Sequence, residues 1–424
     1  MGARSLPKPG CRTVSKIFQH FSLDTMTSVI VVDNDLAGCL REYGQIIDSV
    51  NESARFSESL QTFIKPYTNE IINTSELKTK VVESSSPQNL ARLSDKEFEP
   101  AFNLVVYILL QLEGSIEKVV GGDSQVVQNL LDCNPKQAPS LRDRKSIKST
   151  SILSVLNTIF NFIPETSRTR ITLLEKILYI YENSSLDFLL MEAAIGDNLV
   201  QWLAKTGASS DEIKALFWKF ITLDKKASLG SLQLIKKFTS QDTLNLEQLQ
   251  TLIKFALVSE VVDVSFLVNN NVAQAIRANS SDSVVQSFVD YTSGKLLTTV
   301  PSGLPVEPIV QKSKILVLAK FLIDNDDKLV FNYSDFPSTL SESPEQFEML
   351  VVNSLKAGVI DGRLSQSDQK FYLTRVNRLI LAGHDNSKNW DAVRTVLNQW
   401  KNALENIDEI VNASRESIVN NNNA

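Results

Sequence analysis

A succession of amphipathic helical patterns from Ser146 to Ser293 most constrains the fold, because strand signals are nearly absent there. Apolar residues recur every three or four positions, and short polar joints separate one pattern from the next. Helices of this kind bury their apolar faces only by stacking on neighbouring helices. The sequence therefore predicts a mainly α protein containing a degenerate helical-repeat solenoid of the HEAT or TPR type.

A different pattern begins after a joint rich in Pro and Gly near position 300. Ser343-Pro344 predicts a helix start, with Ser as the N-cap and Pro at the first helical position, and Gly358 predicts a left-handed stop. Two short strands, Val359 to Leu364 and Lys370 to Val376, are expected around a polar loop. A capped helix followed by a hairpin is typical of a winged helix.

The last predicted helix carries a continuous apolar seam. Its members alternate in steps of three and four residues over three heptads, which is coiled-coil-like spacing. They are Trp390, Val393, Leu397, Trp400, Leu404, Ile407 and Val411. Burying seven such side chains represents roughly 10–20 kcal/mol before association costs are subtracted. The helix either folds back on its own domain or, as we expect for Trp400 to Val411, packs against helices of partner subunits.

These patterns divide the chain into six segments. One long helical run, Phe98 to Val120, is expected in the N-terminal helical region. We expect a disordered N-terminal extension (1–28), an N-terminal helical region (29–140), a helical-repeat solenoid (141–300), a winged helix (301–385), a C-terminal amphipathic helix (386–413) and a disordered tail (414–424). The extension superficially resembles a transit peptide, because four basic residues precede its first acid, Asp24. We favour a disordered extension, with Met26 as an alternative start.

The composition limits the partners and the compartment. Lys plus Arg is 43 and Asp plus Glu is 49, a net charge of −6, which argues against attraction of the whole chain to nucleic acid or anionic membranes. Three cysteines, Cys11, Cys39 and Cys133, form no CxxC pair and suit a reducing compartment, either the cytosol or the nucleus. The longest apolar run, Leu104 to Leu110, is far shorter than the ~20 residues that span a bilayer.

No catalytic constellation can be assembled from these residues. The chain has only two histidines, His20 and His384, so that a catalytic triad or a zinc site has almost nothing to build from. The glycine-rich phosphate-binding patterns are missing. The acidic run Asp324 to Asp327 lacks the fifth and sixth positions of an EF-hand. We therefore predict no catalytic, cofactor-binding or metal site.

Winged helices often bind nucleic acid, and the charges of this one indicate whether it can do so. The capped helix, Pro344 to Gly358, has two acids and one base, whereas groove binding needs phosphate-neutralising Lys or Arg. The hairpin alone has a net charge of +2, and it offers a weak contact with RNA or is simply solvated. Its basic residues are Arg363, Lys370, Arg375 and Arg378.

A helical-repeat array, a winged helix and a long terminal helix together resemble the PCI-domain family of the proteasome lid, the COP9 signalosome and translation initiation factor 3. Within it, the segment Lys145 to Asn161 resembles the helix that opens the middle of the m subunits of eukaryotic initiation factor 3. The ending, Leu397-Asn398-Gln399-Trp400-Lys401-Asn402-Ala403-Leu404, resembles their Leu-x-x-Trp-Lys-x-x-Leu helix. The resemblance covers about residues 29 to 412.

This resemblance implies a non-catalytic, cytoplasmic scaffold subunit without cofactor, membrane or small-molecule substrate. In such complexes winged helices join edge to edge and the terminal helices gather into a bundle, so that the implied partners are other PCI subunits of initiation factor 3. Contact with the small ribosomal subunit is implied through the complex, which promotes pre-initiation assembly with mRNA and initiator tRNA. A COP9 signalosome or proteasome lid subunit is the nearest alternative, and an RNA-binding adaptor acting through the hairpin is another.

Overall fold

The computed structural model describes most of the chain and is mainly helical, which confirms the predicted fold class. The described residues are 34–52, 55–65, 70–122, 124–135, 146–184, 186–325, 328–340, 343–377 and 387–422. The predicted extension, Met26, both histidines and Arg378 lie outside them. None of the described helices combines the length and apolarity needed to cross a bilayer.

The chain divides into two compact units, Met1–Leu223 and Asp224–Ala424. The finer division predicted near residues 140 and 300 stays a prediction, as does the solenoid arrangement. Within its described residues the first unit contains twelve α-helices and one π-helical turn. They are α1 (Leu36–Asn51), α2 (Arg55–Gln61), α3 (Thr74–Ser84), α4 (Pro87–Leu90), α5 (Asp95–Glu113), α6 (Ile116–Val120), α7 (Gln125–Asp132), α8 (Ser149–Phe162), α9 (Thr169–Glu182), α10 (Phe188–Met191), the π-turn (Glu192–Gly196), α11 (Leu199–Lys205) and α12 (Ser210–Thr222).

Helix α5 is central to the first unit, because it packs against α1, α3 and α8. It starts at a capping box between Ser94 and Glu97, and its buried Phe98 and Phe102 share one face. It ends at Glu113 because Gly114 adopts a left-handed conformation, with φ 69°. The single helical run expected from position 98 to 120 is therefore two helices, α5 and α6.

The second unit combines helices with a small sheet. Its described elements are α13 (Leu229–Thr239), α14 (Leu246–Val258), a 3-10 turn (Ser265–Leu267), α15 (Asn270–Ala278), α16 (Ser283–Thr292), α17 (Val306–Asp324), β1 (Val330–Asn332), a second 3-10 turn (Tyr333–Asp335), α18 (Pro344–Lys356), β2 (Ile360–Ser365), β3 (Lys370–Val376) and α19 (Ser387–Asn422). The strands form an antiparallel sheet in the order β1-β3-β2.

The hairpin and the capped helix were predicted from the sequence, whereas β1 was not. Ser343 caps α18 by accepting a hydrogen bond from the Gln346 N–H at 3.3 Å, and Gly358 has the expected left-handed φ of 68°. Strand β3 has the predicted bounds, and β2 is shifted by one residue. Helix α19 continues to Asn422, past the predicted boundary at residue 413.

A cluster of aromatic rings holds the sheet on the helices of the second unit. The Phe336 ring lies 4.4 Å from Phe347 of α18, 5.3 Å from Phe321 of α17 and 5.6 Å from Phe331 of β1, measured between ring centroids. Ring pairs at such separations add about 0.5–1.5 kcal/mol each beyond their buried area. Each neighbour comes from a different element, so that Phe336 fixes their mutual positions.

A buried lysine joins α17 to the end of α14. The Lys312 ammonium donates to the carbonyls of Ala256 (3.1 Å), Leu257 (3.1 Å) and Ser259 (2.7 Å), and it lies 5.6 Å from the centre of the Tyr291 ring. The last carbonyls of a helix find no N–H donor within the helix itself, so the ammonium satisfies them. The helix dipole also favours a cation at the C-terminal end. Burial lowers the pKa of the ammonium to about 8.

We expect Lys312→Met to lower the free energy of unfolding at pH 7 by roughly 2–3 kcal/mol, because buried carbonyls lose their donor. Since the folded pKa is about 8 and the unfolded value is about 10.4, the unfolded chain binds more protons between these values. The free energy of unfolding of the wild type should therefore rise relative to that of the Met variant as pH rises from 8 to 9.5. Urea unfolding followed by circular dichroism measures both effects, and a pH-independent difference would contradict the second.

The two described thiols should be inert in the native protein. Cys39 and Cys133 are buried, and burial raises the pKa of their thiols to about 11 and about 12. The thiolate is the reactive form. We expect iodoacetamide at pH 8 to label both positions at least about 100-fold more slowly in buffer than in urea, because pKa and access act together. Peptide mass spectrometry resolves the two sites, and equal rates in both solvents at either site would contradict the expectation.

Candidate interaction surface

Helix α19 presents its predicted seam to solvent. It has 36 residues and is about 54 Å long at 1.5 Å per residue. The alternating steps of three and four place the seam on one face. Trp390 is 69% exposed, Trp400 66% and Leu404 66%, and the other four members are exposed as well. The structure therefore brings all seven predicted residues together on one helix.

No part of the described chain covers this face. Every described side chain between positions 390 and 415 is exposed, including the polar ones. Folding back on its own domain would have buried at least one side of the helix. Large apolar side chains rarely form an extended exposed stripe in a protein without partners. The face of α19 is thus a candidate interaction surface.

The seam is wider than the sequence interpretation allowed. Val396 and Ile410 are also exposed, at 40% and 65%. Val396 follows Val393 by three residues, and Ile410 follows Ile407 by three, so that both lie beside the seam. A heptad pattern counts only two core positions in seven, so Val396 and Ile410 fall outside it. The wider apolar stripe of an ordinary amphipathic helix includes both.

The sheet register sorts the basic residues of the hairpin into two groups. Arg363 of β2 pairs with Tyr372 of β3, and Lys370 shares the face of Tyr372 because residues two apart on a strand point the same way. Arg375 belongs to the opposite alternation and pairs with Asp361, beyond a bulge. The structure brings Arg363 and Lys370 together around an exposed tyrosine, and it separates Arg375 from them.

Glu348 of α18 fixes the hairpin loop. The Tyr333 O–H donates to one carboxylate oxygen at 3.2 Å, and the Gln366 side-chain amide donates to the other at 3.1 Å. Burial and the neighbouring carboxylate raise the pKa of Tyr333 to about 12. An acidic side chain, Glu348, therefore lies between α18 and the hairpin, where a protein that binds a nucleic-acid groove would carry Lys or Arg.

The described residues offer no group of three or more His, Cys, Asp or Glu side chains that could hold a metal ion. Of the acidic run Asp324 to Asp327, the structure describes Asp324 and Asn325, where α17 ends. The residues that distinguish this chain are accordingly apolar and lie on helix surfaces.

Comparison with known proteins agrees on one family, although no family model matches the chain. The chain is 21% identical to eukaryotic translation initiation factor 3 subunit M of Aspergillus clavatus, over 93% of this chain and 87% of the relative. The subunit M of Phaeosphaeria nodorum is 22% identical, over 92% and 89%. That of Coccidioides immitis is 20% identical, over 81% and 75%.

These similarities extend over nearly the whole chain, and they agree with the helical fold and with the resemblance of the terminal helix. Over nearly its whole length the chain is similar to eukaryotic translation initiation factor 3 M subunits.

Proposed function

We propose that this protein is a non-catalytic scaffold subunit of the eukaryotic translation initiation factor 3 complex. In this role it supports binding of the complex to the small ribosomal subunit and pre-initiation assembly with mRNA and initiator tRNA. The observation that carries the proposal is the exposed seam of α19, in a chain whose relatives bear the subunit M name. Its partners are other PCI subunits, and its place of action is the cytoplasm.

The seam is suited to a helical bundle because its geometry matches that of a coiled-coil partner. Steps of three and four residues let each side chain enter a hole between four residues of a facing helix. Charged side chains elsewhere on α19 form ion pairs within the helix. Arg394 pairs with Asp391 (3.3 Å) and Lys401 pairs with Glu405 (3.7 Å). These pairs leave the apolar face as the main source of affinity.

The sheet supplies a second docking element. Within the described residues β2 pairs with β3 on one side, and its other edge carries backbone groups that a strand of a partner could pair with. The bulge between Asp361 and Gly362 twists one end of this edge. We therefore propose that β2 joins a neighbouring winged helix, while α19 joins the bundle.

A signalosome or proteasome lid subunit is the alternative with the same architecture, and the names of the relatives favour the initiation factor. An RNA-binding adaptor is the alternative favoured by the arrangement of Arg363, Lys370 and Tyr372, because bases stack on exposed aromatic rings beside phosphate-binding cations. The two alternatives predict different molecules in the same fraction of an extract. A signalosome or lid subunit should migrate with a deneddylase or a protease, and an RNA-binding adaptor should migrate with free RNA.

We expect the wild-type protein to sediment with small ribosomal subunits and to co-purify with other initiation factor 3 subunits. The triple variant Trp400→Asp, Leu404→Asp, Ile407→Asp should lower co-purification by about tenfold or more, because carboxylates would be desolvated in the bundle. Affinity purification followed by gradient sedimentation measures both quantities.

The matched control carries the same charge change on the opposite face of the helix, as Thr395→Asp, Asn398→Asp, Asn402→Asp, and should assemble normally. Equal assembly of the two triple variants would refute the role of the seam. Sedimentation of the wild type with deneddylase activity would instead identify the signalosome alternative.

The hairpin can be tested separately by changing Arg363, Lys370, Arg375 and Arg378 to Glu. We expect complex assembly to persist and RNA crosslinking of this subunit to stay within about twofold of wild type, because the hairpin has a net charge of only +2. Crosslinking of the purified complex measures the effect. A loss of about tenfold, with assembly intact, would favour the RNA-binding adaptor.

A further inference from the structure

A cleft of about 270 Å³ opens in the first unit between α8, α9 and the stretch from α10 to α11. The rings of Phe160 and Trp202 form its aromatic floor, with centroids 5.2 Å apart. Ile177 and Tyr181 of α9 line one wall, and Ser154 of α8 lines the other. Its volume lies just below the ~300–1,000 Å³ of small-molecule pockets, which suits insertion of a few side chains.

The walls are held in place by hydrogen bonds beneath the surface. The buried Arg170 donates to the Ile163 carbonyl at 3.0 and 2.8 Å, and its guanidinium lies 4.6 Å from the centre of the Phe160 ring. Ser154 donates to Glu99 of α5 at 2.6 Å. A site with fixed side chains loses little conformational entropy on binding. The cleft is therefore preformed.

The rim is apolar where it meets solvent. Leu189 and Leu190 of α10 are 57% and 63% exposed, and Leu190 also lines the cleft. The π-turn from Glu192 to Gly196 follows directly, and such insertions occur frequently at functional sites. Exposed leucines beside a preformed apolar cleft indicate a surface that a further apolar segment completes.

The chain that forms this side of the cleft is acidic, because Tyr181, Leu186 and Met191, which line the cleft, are each followed by an acid. Positions 182 to 197 contain four acids and no Lys or Arg, a formal charge of −4. These acids are Glu182, Asp187, Glu192 and Asp197. An apolar floor inside an acidic rim selects a basic amphipathic helix, because the charges steer the approach and the apolar side chains supply the affinity.

The N-terminal stretch of this chain has that chemistry. Positions 1 to 23 hold four bases and no acid, a formal charge of +4, at Arg4, Lys8, Arg12 and Lys16. Within it, four large apolar residues fall at positions i, i+3, i+4 and i+7, which is the spacing of helix-in-groove anchors. They are Val14, Ile17, Phe18 and Phe21. We propose that the cleft binds this segment, Val14 to Phe21, of the same chain.

The connection is long enough. Twelve residues lie between Phe21 and Asn34, where the described chain begins, and the thirteen Cα–Cα steps that they make span up to about 45 Å. A unit of this size has a radius of gyration of about 17 Å. Helix α1 packs on α5, and α5 packs on α8 beside the cleft, so that two helix contacts of about 10 Å each intervene. The covalent link also raises the effective concentration of the segment into the millimolar range.

The segment and any other basic amphipathic helix would compete for the same cleft. The apolar anchors would cover the aromatic floor and the exposed leucines, while Arg12 and Lys16 face the acidic rim. This arrangement is independent of the seam on α19, which belongs to the second unit. A partner with a better basic helix could displace the segment, and the first unit would then gain a docking site only in that partner's presence.

The test places a photo-crosslinking amino acid at Phe18 in the full-length protein and maps products by mass spectrometry. We expect crosslinks to positions 186–202 of the same chain, with a yield per chain that is unchanged over a tenfold range of protein concentration. The same probe at Gln19, on the opposite face of the proposed helix, should give at least fivefold less product there. Crosslinks elsewhere, between chains only, or equal for both probes would overturn the proposal.

A second variant checks the acceptor. Leu190→Asp, at an exposed position, should reduce the crosslink from position 18 by at least fivefold without unfolding the unit. Leu229→Asp, an equally solvent-facing leucine of the second unit at 51% exposure, is the matched control and should leave the yield unchanged. An undiminished crosslink in the Leu190 variant would also overturn the proposal, because the rim would then contribute nothing to binding.

Discussion

The second unit depends on a charge that has been taken out of water. Lys312 is buried, and its ammonium replaces lost hydration with the three carbonyls at the end of α14. A cation at this end satisfies acceptors that the helix itself cannot satisfy. The arrangement fixes α17 against α14, and α17 in turn carries the aromatic cluster under the sheet. The ammonium of Lys312, which has no acidic partner among its described contacts, is thus one of the groups that fix the helix on which the hairpin packs.

The sequence predicted the elements that local chemistry determines. Caps and left-handed glycines act within a few residues, so that α18, Gly358 and the hairpin strands could be recognised. Strand β1 has three residues and exists because β3 lies beside it, which no local pattern reveals. Lys312 was overlooked for a related reason. A lysine is almost never fully buried, and only the packing of α17 on α14 brings the three carbonyls to its ammonium.

The candidate surface shows the same division between local and distant determinants. Heptad spacing identified the seam because helix geometry alone puts those residues on one face. Its exposure, however, depends on where the rest of the chain lies, which the spacing of the apolar residues does not determine. The four basic residues of the β-hairpin are equivalent as far as the sequence shows. The bulge at Asp361 and the alternation of the strand separate Arg375 from Arg363, and these follow from the register.

The two apolar surfaces differ in what they require of a partner. The seam of α19 extends along a helix with no wall on either side, so that its partner must supply the complementary holes as well as the apolar area. The cleft of the first unit already has its floor, walls and rim, and it needs only a few side chains to fill it. The first surface therefore suits permanent assembly over a large area. The second suits a reversible contact, because a small preformed site gains modest affinity and a tethered ligand can supply it.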